Sequence, residues 1–268
     1  MRRFLATKDE LAVDEIVQNL PQSLIIVAED GLDGEAVVDK IINDAECSID
    51  RLKLIDSKKN ISVEQVRECI ARLRTVANGR RLVIIEPAEV LSEEAQGALL
   101  KTLEEPNKDT HFILLTHNEL GLLSTIRSRC QSIVLHKTSL AQDREFLKSK
   151  NLSPIEFQQI LFLAAGKPVL LNQLASDPAQ FETYKTFATD AKLILANQDR
   201  YQTLKCLSQY FSDRQKAILL TDVMINIIKF QIKSGKNDLN TQLDNVIKVA
   251  QHLRQNGNVK LALLRLVV

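Results

Sequence analysis

The chain has 268 residues, of which 45% are hydrophobic and 26% are charged, a composition that is ordinary for a globular protein with a substantial core. The formal net charge of +1 argues against a uniformly basic surface of the kind that binds nucleic acid without sequence preference. No apolar run has the length of a signal-peptide core or a membrane span, so we expect a cytoplasmic protein without membrane contact.

The cysteines and histidines do not form a recognisable reactive site. The cysteines are Cys47, Cys69, Cys130 and Cys206. They contain no CxxC pair, which favours reduced thiols over a zinc site. The histidines have neither the spacing of metal ligands nor that of a catalytic triad. We therefore predict no bound metal.

The first part of the chain predicts alternating helices and strands. Residues 9–20 have the apolar spacing of a helix and are followed by Pro21, which breaks helices. Residues 23–28 (SLIIVA) predict a buried strand, and an acidic glycine turn then leads into a second helix. Residues 52–55 predict a further short strand.

A helix is predicted over residues 62–77, where Ser62 and Gln65 have the spacing of a capping box. The basic residues on this helix and just after it are Arg67, Arg72, Arg74, Arg80 and Arg81. Such a charged face is typical of solvated surface, and contact with DNA is the alternative interpretation.

The most informative stretch is residues 80–131. It contains an apolar run at 82–86, a helical pattern at 92–105 and a second apolar run at 111–116. Apolar strands without clean alternation are typical of a parallel sheet that is covered on both faces. Residues 132–135 (SIVL) predict the last strand of this α/β domain.

Three phrases in this stretch resemble the AAA+ core of bacterial clamp loader subunits. They are ALLKTLEEP at 98–106, FILLT at 112–116 and LLSTIRSRCQ at 122–131. The resemblance implies the fold class α/β, with an AAA+ P-loop-type parallel sheet domain followed by a small helical lid and an all-α collar domain.

Beyond the sheet the pattern is helical. Capping boxes predict helix starts at Ser139 with Gln142, Ser153 with Glu156, and Ser212 with Gln215. Combined with the resemblance, this predicts an AAA+ core with a degenerate P-loop at 1–137, a three-helix lid at 138–178 and a helical collar for oligomerisation at 179–268.

The resemblance implies a nucleotide loop that has lost its function. A phosphate-binding loop needs GxxxxGK[ST], with a lysine on the phosphates and a hydroxyl for magnesium. Here Gly31 begins the turn, Asp33 replaces a glycine, Gly34 replaces the lysine and Glu35 replaces the hydroxyl residue. Like charges about 4 Å apart near a protein surface repel by on the order of 4 kcal/mol. We therefore favour an acidic turn that only caps a helix, and we predict no nucleotide cofactor.

The other nucleotide-handling positions of the family are also altered. An active member ends its strand with Asp-Glu, where the glutamate activates water, whereas this chain has Glu86 and Pro87. Thr116 matches a position that senses phosphate in the family, and a strand-end capping role is the alternative. Lys167 and Pro168 stand near the position of a nucleotide-sensing arginine in the lid.

Ser128, Arg129 and Cys130 match the SRC motif of the family. This motif presents an arginine to the ATP site of a neighbouring subunit, where a permanently charged, forked guanidinium neutralises the transferring phosphoryl group. The alternative is that Arg129 pairs with a surface carboxylate such as Glu119. Arg127 is the local competitor for the role of arginine finger.

Together these features imply a non-hydrolysing subunit that is the rigid stator of a pentameric clamp loader in the DNA polymerase III machinery. Its expected partners are gamma/tau-type and delta-type subunits in a hetero-oligomer, with the sliding clamp and primed DNA as further candidates. One alternative is a divergent gamma-type ATPase that binds ATP through an unusual loop. Another is an interaction protein that has kept this scaffold for a different assembly.

Overall fold

A computed structural model describes residues 5–45, 48–53, 61–73, 80–105, 109–196, 199–235, 237–255 and 257–267, and for 48–53 it describes the backbone alone. Cys47, Arg74 and the ends of the predicted segments 52–55 and 62–77 lie outside the described residues. The chain forms two compact units. The sheet unit comprises Met1–Asp143 and Gly166–Leu170, and the helical unit comprises Arg144–Ala165 and Leu171–Val268.

The sheet unit is built on a five-stranded parallel sheet with the strand order β2-β3-β4-β1-β5. The strands are β1 (Ser23–Val27), β2 (Ser48–Lys53), β3 (Arg81–Glu86), β4 (Thr110–Thr116) and β5 (Gln131–Val134). In the centre of the sheet Ile25 of β1 lies opposite Leu114 of β4 and Ser132 of β5. The predicted parallel sheet is therefore confirmed.

Helices cover both faces of the sheet. They are α1 (Thr7–Gln18), α2 (Gly34–Ala45), α3 (Val63–Leu73), α4 (Glu93–Glu104) and α5 (Ser124–Arg127), with short 3-10 turns at Ala88–Val90 and Glu119–Gly121. Ile25 and Leu114 pack with α3 and α4 in one buried cluster, while Ile26 and Ile113 pack with α1 and α2 in another. Because alternate side chains of each strand enter different cores, the strands are apolar without alternation.

Strand β2 begins earlier than predicted. The expected strand was 52–55, whereas the observed strand Ser48–Lys53 starts four residues before it and pairs only with β3. Asp50 and Arg51 belong to this edge strand. Polar residues are common at a sheet edge, where one side of the strand is left unpaired, and they hide the strand from a search for apolar runs.

The rest of the chain is helical, as predicted. Its helices are α6 (Leu140–Lys148), α7 (Pro154–Ala164), α8 (Pro168–Ser176), α9 (Pro178–Ala196), α10 (Arg200–Ser208), α11 (Arg214–Lys233), α12 (Asn240–Arg254) and α13 (Val259–Leu264), with a 3-10 turn at Asn237–Leu239. The core of the helical unit forms around α11, whose Val223, Ile227 and Ile228 pack with Leu207 and Val249. The two compact units do not test the predicted division into lid and collar, which stays a prediction.

The predicted helix starts are mostly confirmed. The boxes Ser62–Gln65, Ser139–Gln142 and Ser153–Glu156 are present with reciprocal hydrogen bonds.

The predicted box of Ser212 with Gln215 is wrong, because Asp213 caps α11 and accepts a hydrogen bond from the Lys216 backbone at 3.0 Å. Asp213 lies one residue after Ser212, and its carboxylate accepts from a free backbone N–H at the helix start as well as a serine hydroxyl would. Its charge also interacts favourably with the positive end of the helix dipole.

No helix among the described residues combines the length and the apolar character that crossing a membrane requires.

Candidate functional site

The sheet brings several of the predicted site positions to one edge. Glu86 ends β3 and Thr116 ends the neighbouring β4, while the acidic turn follows β1 on the other side of β4. The strands are parallel, so their carboxyl ends lie side by side. In open α/β sheets this edge is where ligands bind. The SRC residues follow α5, immediately before β5.

The acidic turn is engaged in starting α2. Asp33 accepts a hydrogen bond from the backbone nitrogen of Ala36 at 3.1 Å, so its carboxylate caps the helix. Gly34 is buried at the first position of the helix. A Cβ atom there would lie 2.7 Å from Leu115 Cδ1 and 2.8 Å from Ala28 Cβ, which is closer than real Cβ atoms approach. A lysine at this position would therefore require its neighbours to move.

The turn is also covered by a later segment of the same unit. Gly31 has a φ of +89°, and its carbonyl accepts a hydrogen bond from the Val169 nitrogen at 3.1 Å. A Cβ at Gly31 would lie 3.0 Å from Lys167 Cδ and 3.1 Å from Lys167 Cβ. The stem of Lys167 thus packs directly on the turn at Gly31.

Carboxylates and one imidazole meet at this sheet edge. His117 Nδ1 donates to Glu89 Oε1 at 2.7 Å, and its Nε2 lies 3.5 Å from Asp30 Oδ1. The hydrogen bond to Glu89 is the main cause of a raised pKa of His117, and the charges of Glu89, Asp30 and Glu86 add to it. Burial by itself would raise the pKa of Glu89. The hydrogen bonds that its carboxylate accepts, chiefly the one from His117, outweigh burial, so the pKa of Glu89 is lowered. An edge with this charge repels polyphosphate.

Glu86 and Thr116 are both buried. Glu86 is 7% exposed, and Pro87, which follows it, carries no group that accepts a proton. Thr116 Oγ1 donates to the Asn118 carbonyl and accepts from the Asn118 nitrogen, each at 3.1 Å. The hydroxyl thus forms a local turn after β4, which is the capping arrangement considered as the alternative to phosphate sensing.

Arg129 lies at the surface and is held within its own chain. Its Nε donates to Glu104 Oε1 at 2.7 Å, and its Nη2 lies 2.5 Å from the same oxygen. Its Nη1 donates to the Thr125 carbonyl at 2.8 Å and to Ser128 Oγ at 3.3 Å. The carboxylate that pairs with Arg129 is therefore Glu104 of α4, and not Glu119 as the alternative interpretation suggested.

Cys130 and Arg127 are less accessible than Arg129. Cys130 is half-buried, and burial raises its pKa to about 11, so the thiol stays protonated at neutral pH. Arg127 is also half-buried, and its Nε has no hydrogen-bond partner among the described residues.

Gln96 is a positioning residue that the sequence reasoning missed. Its Nε2 donates to the carbonyls of Leu91 and Gly121, both at 3.2 Å, and its Oε1 accepts from the Leu123 nitrogen at 2.7 Å. The amide is 3% exposed and ties α4 to the start of α5. A signal was available, because Gln96 lies three residues before Leu99 on the apolar side of α4, where a polar side chain needs buried partners.

The basic face of α3 is solvated. Arg67 and Arg72 are exposed, and Arg81 Nη1 donates to the Arg72 carbonyl at 3.0 Å. Its contact with DNA remains an alternative prediction. Within the described ranges, no group of three or more His, Cys, Asp and Glu residues is arranged to hold a metal ion.

Comparison with solved structures identifies the fold. The chain resembles a DNA polymerase III gamma subunit-related protein from Thermotoga maritima with a TM-score of 0.58 and 17% identity, over 95% of this chain and 97% of that one. At this identity the likeness is one of fold alone. The predicted architecture, a parallel α/β sheet domain followed by helices, is confirmed.

Comparison of sequences finds similarity to subunits of DNA polymerase III. Residues 14–139 match the family described as DNA polymerase III, delta subunit. Over 117 residues, 42% of this chain, it is 43% identical to the DNA polymerase III subunit delta' of Haemophilus influenzae. Over 123 residues, 44% of this chain, it is 36% identical to the subunit of that name from Pseudomonas aeruginosa.

These matches span 35% and 38% of the two relatives. The family match at residues 14–139 covers the five strands of the sheet and the three motif phrases. The chain is thus similar to the delta prime subunits of bacterial DNA polymerase III over part of its length, and the resemblance predicted from its motifs is confirmed.

Proposed function

We propose that this chain is a non-catalytic, delta prime-like subunit of a clamp loader. In this role it supports the loading of a sliding clamp onto primed DNA during replication, binds no ATP of its own and supplies Arg129 to the ATP site of a neighbouring subunit. The match of residues 14–139 to the DNA polymerase III delta subunit family, the similarity of the chain to delta prime subunits, and the fold support the proposal.

The close packing at Gly34 is the main observation that supports the proposed loss of ATP binding. The position of the phosphate-binding lysine has no space for a Cβ atom between Leu115 and Ala28. The adjoining Gly31 is covered by the stem of Lys167, and Asp33 is engaged in capping α2. A loop that lacks the lysine and adds carboxylates offers a triphosphate repulsion instead of neutralisation.

The chemistry of Arg129 supports a role in a neighbour's site. Its side chain is 35% exposed and lies just after α5, whose start is fixed by Gln96. An arginine that reaches a γ-phosphate in trans contributes about 10³ to 10⁵ in rate in well-studied systems. In a chain whose own loop lacks the phosphate-binding lysine, a surface guanidinium would serve mainly the nucleotide of another subunit.

The proposed partners are gamma/tau-type ATPase subunits and a delta-type subunit, in one hetero-oligomer, with the sliding clamp and primed DNA as further contacts. The chain would be a stator, because no nucleotide of its own would drive its rearrangement. A divergent gamma-type ATPase and an interaction protein of another assembly are the competing functions.

Two measurements on the wild-type chain test the proposal. The tagged chain is purified from its host and its partners are identified, and the isolated chain is titrated with Mg-ATP by calorimetry. We expect co-purification with clamp loader ATPase subunits and no binding heat at millimolar ATP. Micromolar ATP affinity would establish the gamma-type alternative, and a stable assembly without clamp loader subunits would establish the interaction-protein alternative.

A further inference from the structure

The hydrogen-bond donors of Arg129 are almost fully used within its own chain. A guanidinium has five N–H donors in a planar fork. Nε and Nη2 face Glu104, while the two hydrogens of Nη1 are taken by Thr125 and Ser128. The edge formed by Nε and Nη2 is one of those that bind a phosphate through two parallel hydrogen bonds. Glu104 therefore occupies an edge that a phosphate would use.

The carboxylate of Glu104 is suited to be exchanged. Glu104 is the last residue of α4, where the negative end of the helix dipole disfavours a carboxylate. The Arg129 side chain is 35% exposed and that of Glu104 is 46% exposed, so water and salt compete for both groups. Such a pair is weak enough to yield to the more highly charged triphosphate.

We propose that Glu104 is a positioning residue that binds the Arg129 side chain until the triphosphate held by the neighbouring subunit displaces it. This inference rests on the proposed role of Arg129 in trans. In the unassembled chain Glu104 occupies the guanidinium and keeps it in place beside α5. In the assembly the anionic phosphate oxygens replace the anionic carboxylate, so nucleotide in the neighbour's site draws the arginine away from Glu104.

Glu104 and the triphosphate of the neighbour's ATP therefore compete for the Arg129 guanidinium. Removing the charge of Glu104 therefore lowers the concentration of ATP at which the neighbouring site is half-saturated. An exposed ion pair limits this change to about five-fold. The turnover at saturating ATP stays unchanged, because Arg129 then engages the phosphate in either protein.

The experiment uses the reconstituted clamp loader complex that contains this chain, with steady-state ATP hydrolysis measured against ATP concentration. Glu104→Gln keeps the shape of the side chain and removes its charge. Glu105→Gln is the matched control, since Glu105 is the adjacent exposed carboxylate and has no contact with Arg129 among the described residues. Arg129→Ala is measured alone and combined with Glu104→Gln.

The expected result is a lower KM for ATP with Glu104→Gln, an unchanged KM with Glu105→Gln, and no effect of Glu104→Gln once Arg129 is removed. An unchanged KM, a reduced turnover, or a gain that persists without Arg129 would each overturn the role of Glu104. If Arg129→Ala leaves turnover at wild-type level, the proposed function itself fails. If Arg129→Ala slows hydrolysis and Glu104→Gln changes nothing, only the present inference fails.

Discussion

At the scale of single residues, His117 balances the carboxylates at the sheet edge. Its raised pKa means that the folded chain binds a proton more tightly than the unfolded chain. The stabilisation from this proton is fully present below the unfolded pKa of about 6.5, and it is lost as pH rises through the higher folded value. The lowered pKa of Glu89 has the opposite sense, so its contribution is lost as pH falls below about 4.

We therefore expect His117→Gln to flatten the dependence of unfolding free energy on pH above about 6.5. The side chain of His117 is 50% exposed, so solvent limits the effect to about 1 kcal/mol or less. Urea unfolding at a series of pH values measures it. Glu89→Gln removes the partner of His117 and is expected to flatten the pH dependence of the unfolding free energy in the same range. Combining Glu89→Gln with His117→Gln is expected to cause no further change. A slope that survives in His117→Gln would assign the pH dependence to other groups.

At the scale of elements, the start of α2 depends on a glycine for close packing. Gly34→Ala is expected to lower the free energy of unfolding by about 1 to 3 kcal/mol, because the new methyl group meets Leu115 and Ala28. Gly97→Ala is the matched control in α4, where nothing lies within 4 Å of the new atom. That change is expected to stabilise the chain by about 0.5 to 1 kcal/mol through helix propensity. Urea denaturation of both variants checks the contrast, and an equal response would contradict the packing at Gly34.

The start of α11 gives a second test at this scale. Asp213 accepts the hydrogen bond from Lys216, and that bond is the main cause of the lowered pKa of Asp213. Asp213→Ala is expected to cost about 1 kcal/mol of stability, as for other lost N-caps. Ser212→Ala is expected to have almost no effect, since Ser212 is exposed and does not cap the helix. Thermal unfolding of the pair decides between the two caps, and a larger loss from Ser212→Ala would restore the box predicted from the sequence.

The elements that the sequence predicts best are those whose signals are local. The buried strands β1, β3 and β4 and the reciprocal serine boxes follow from short patterns. The apolar pattern predicts strand β2 too late in the chain, because the edge position of the strand tolerates Asp50 and Arg51. The pair of Arg129 with Glu104 joins residues 25 positions apart, and the choice of Glu104 over Glu119 depends on how α4 and α5 pack. Local patterns carry no information about such a choice.

At the scale of the whole molecule, one chain combines a turn that lacks the phosphate-binding lysine with an accessible arginine. The turn could be assessed from the sequence because it lacks specific residues of a short motif, and the structure adds the close packing at Gly34 and Gly31. The covering of Gly31 could not be predicted, since Lys167 lies far along the chain and meets the turn only in the folded sheet unit.

The most direct test of this account is single-turnover ATP hydrolysis by the clamp loader complex reconstituted with Arg129→Ala, compared with wild type and with Arg127→Ala. The account predicts that hydrolysis at the adjoining ATP site slows on the order of 10³-fold with Arg129→Ala, and that Arg127→Ala stays near wild type. Arg129→Lys should recover little, because lysine keeps the charge without the fork. Undiminished hydrolysis with Arg129→Ala, or a loss confined to Arg127→Ala, would contradict it.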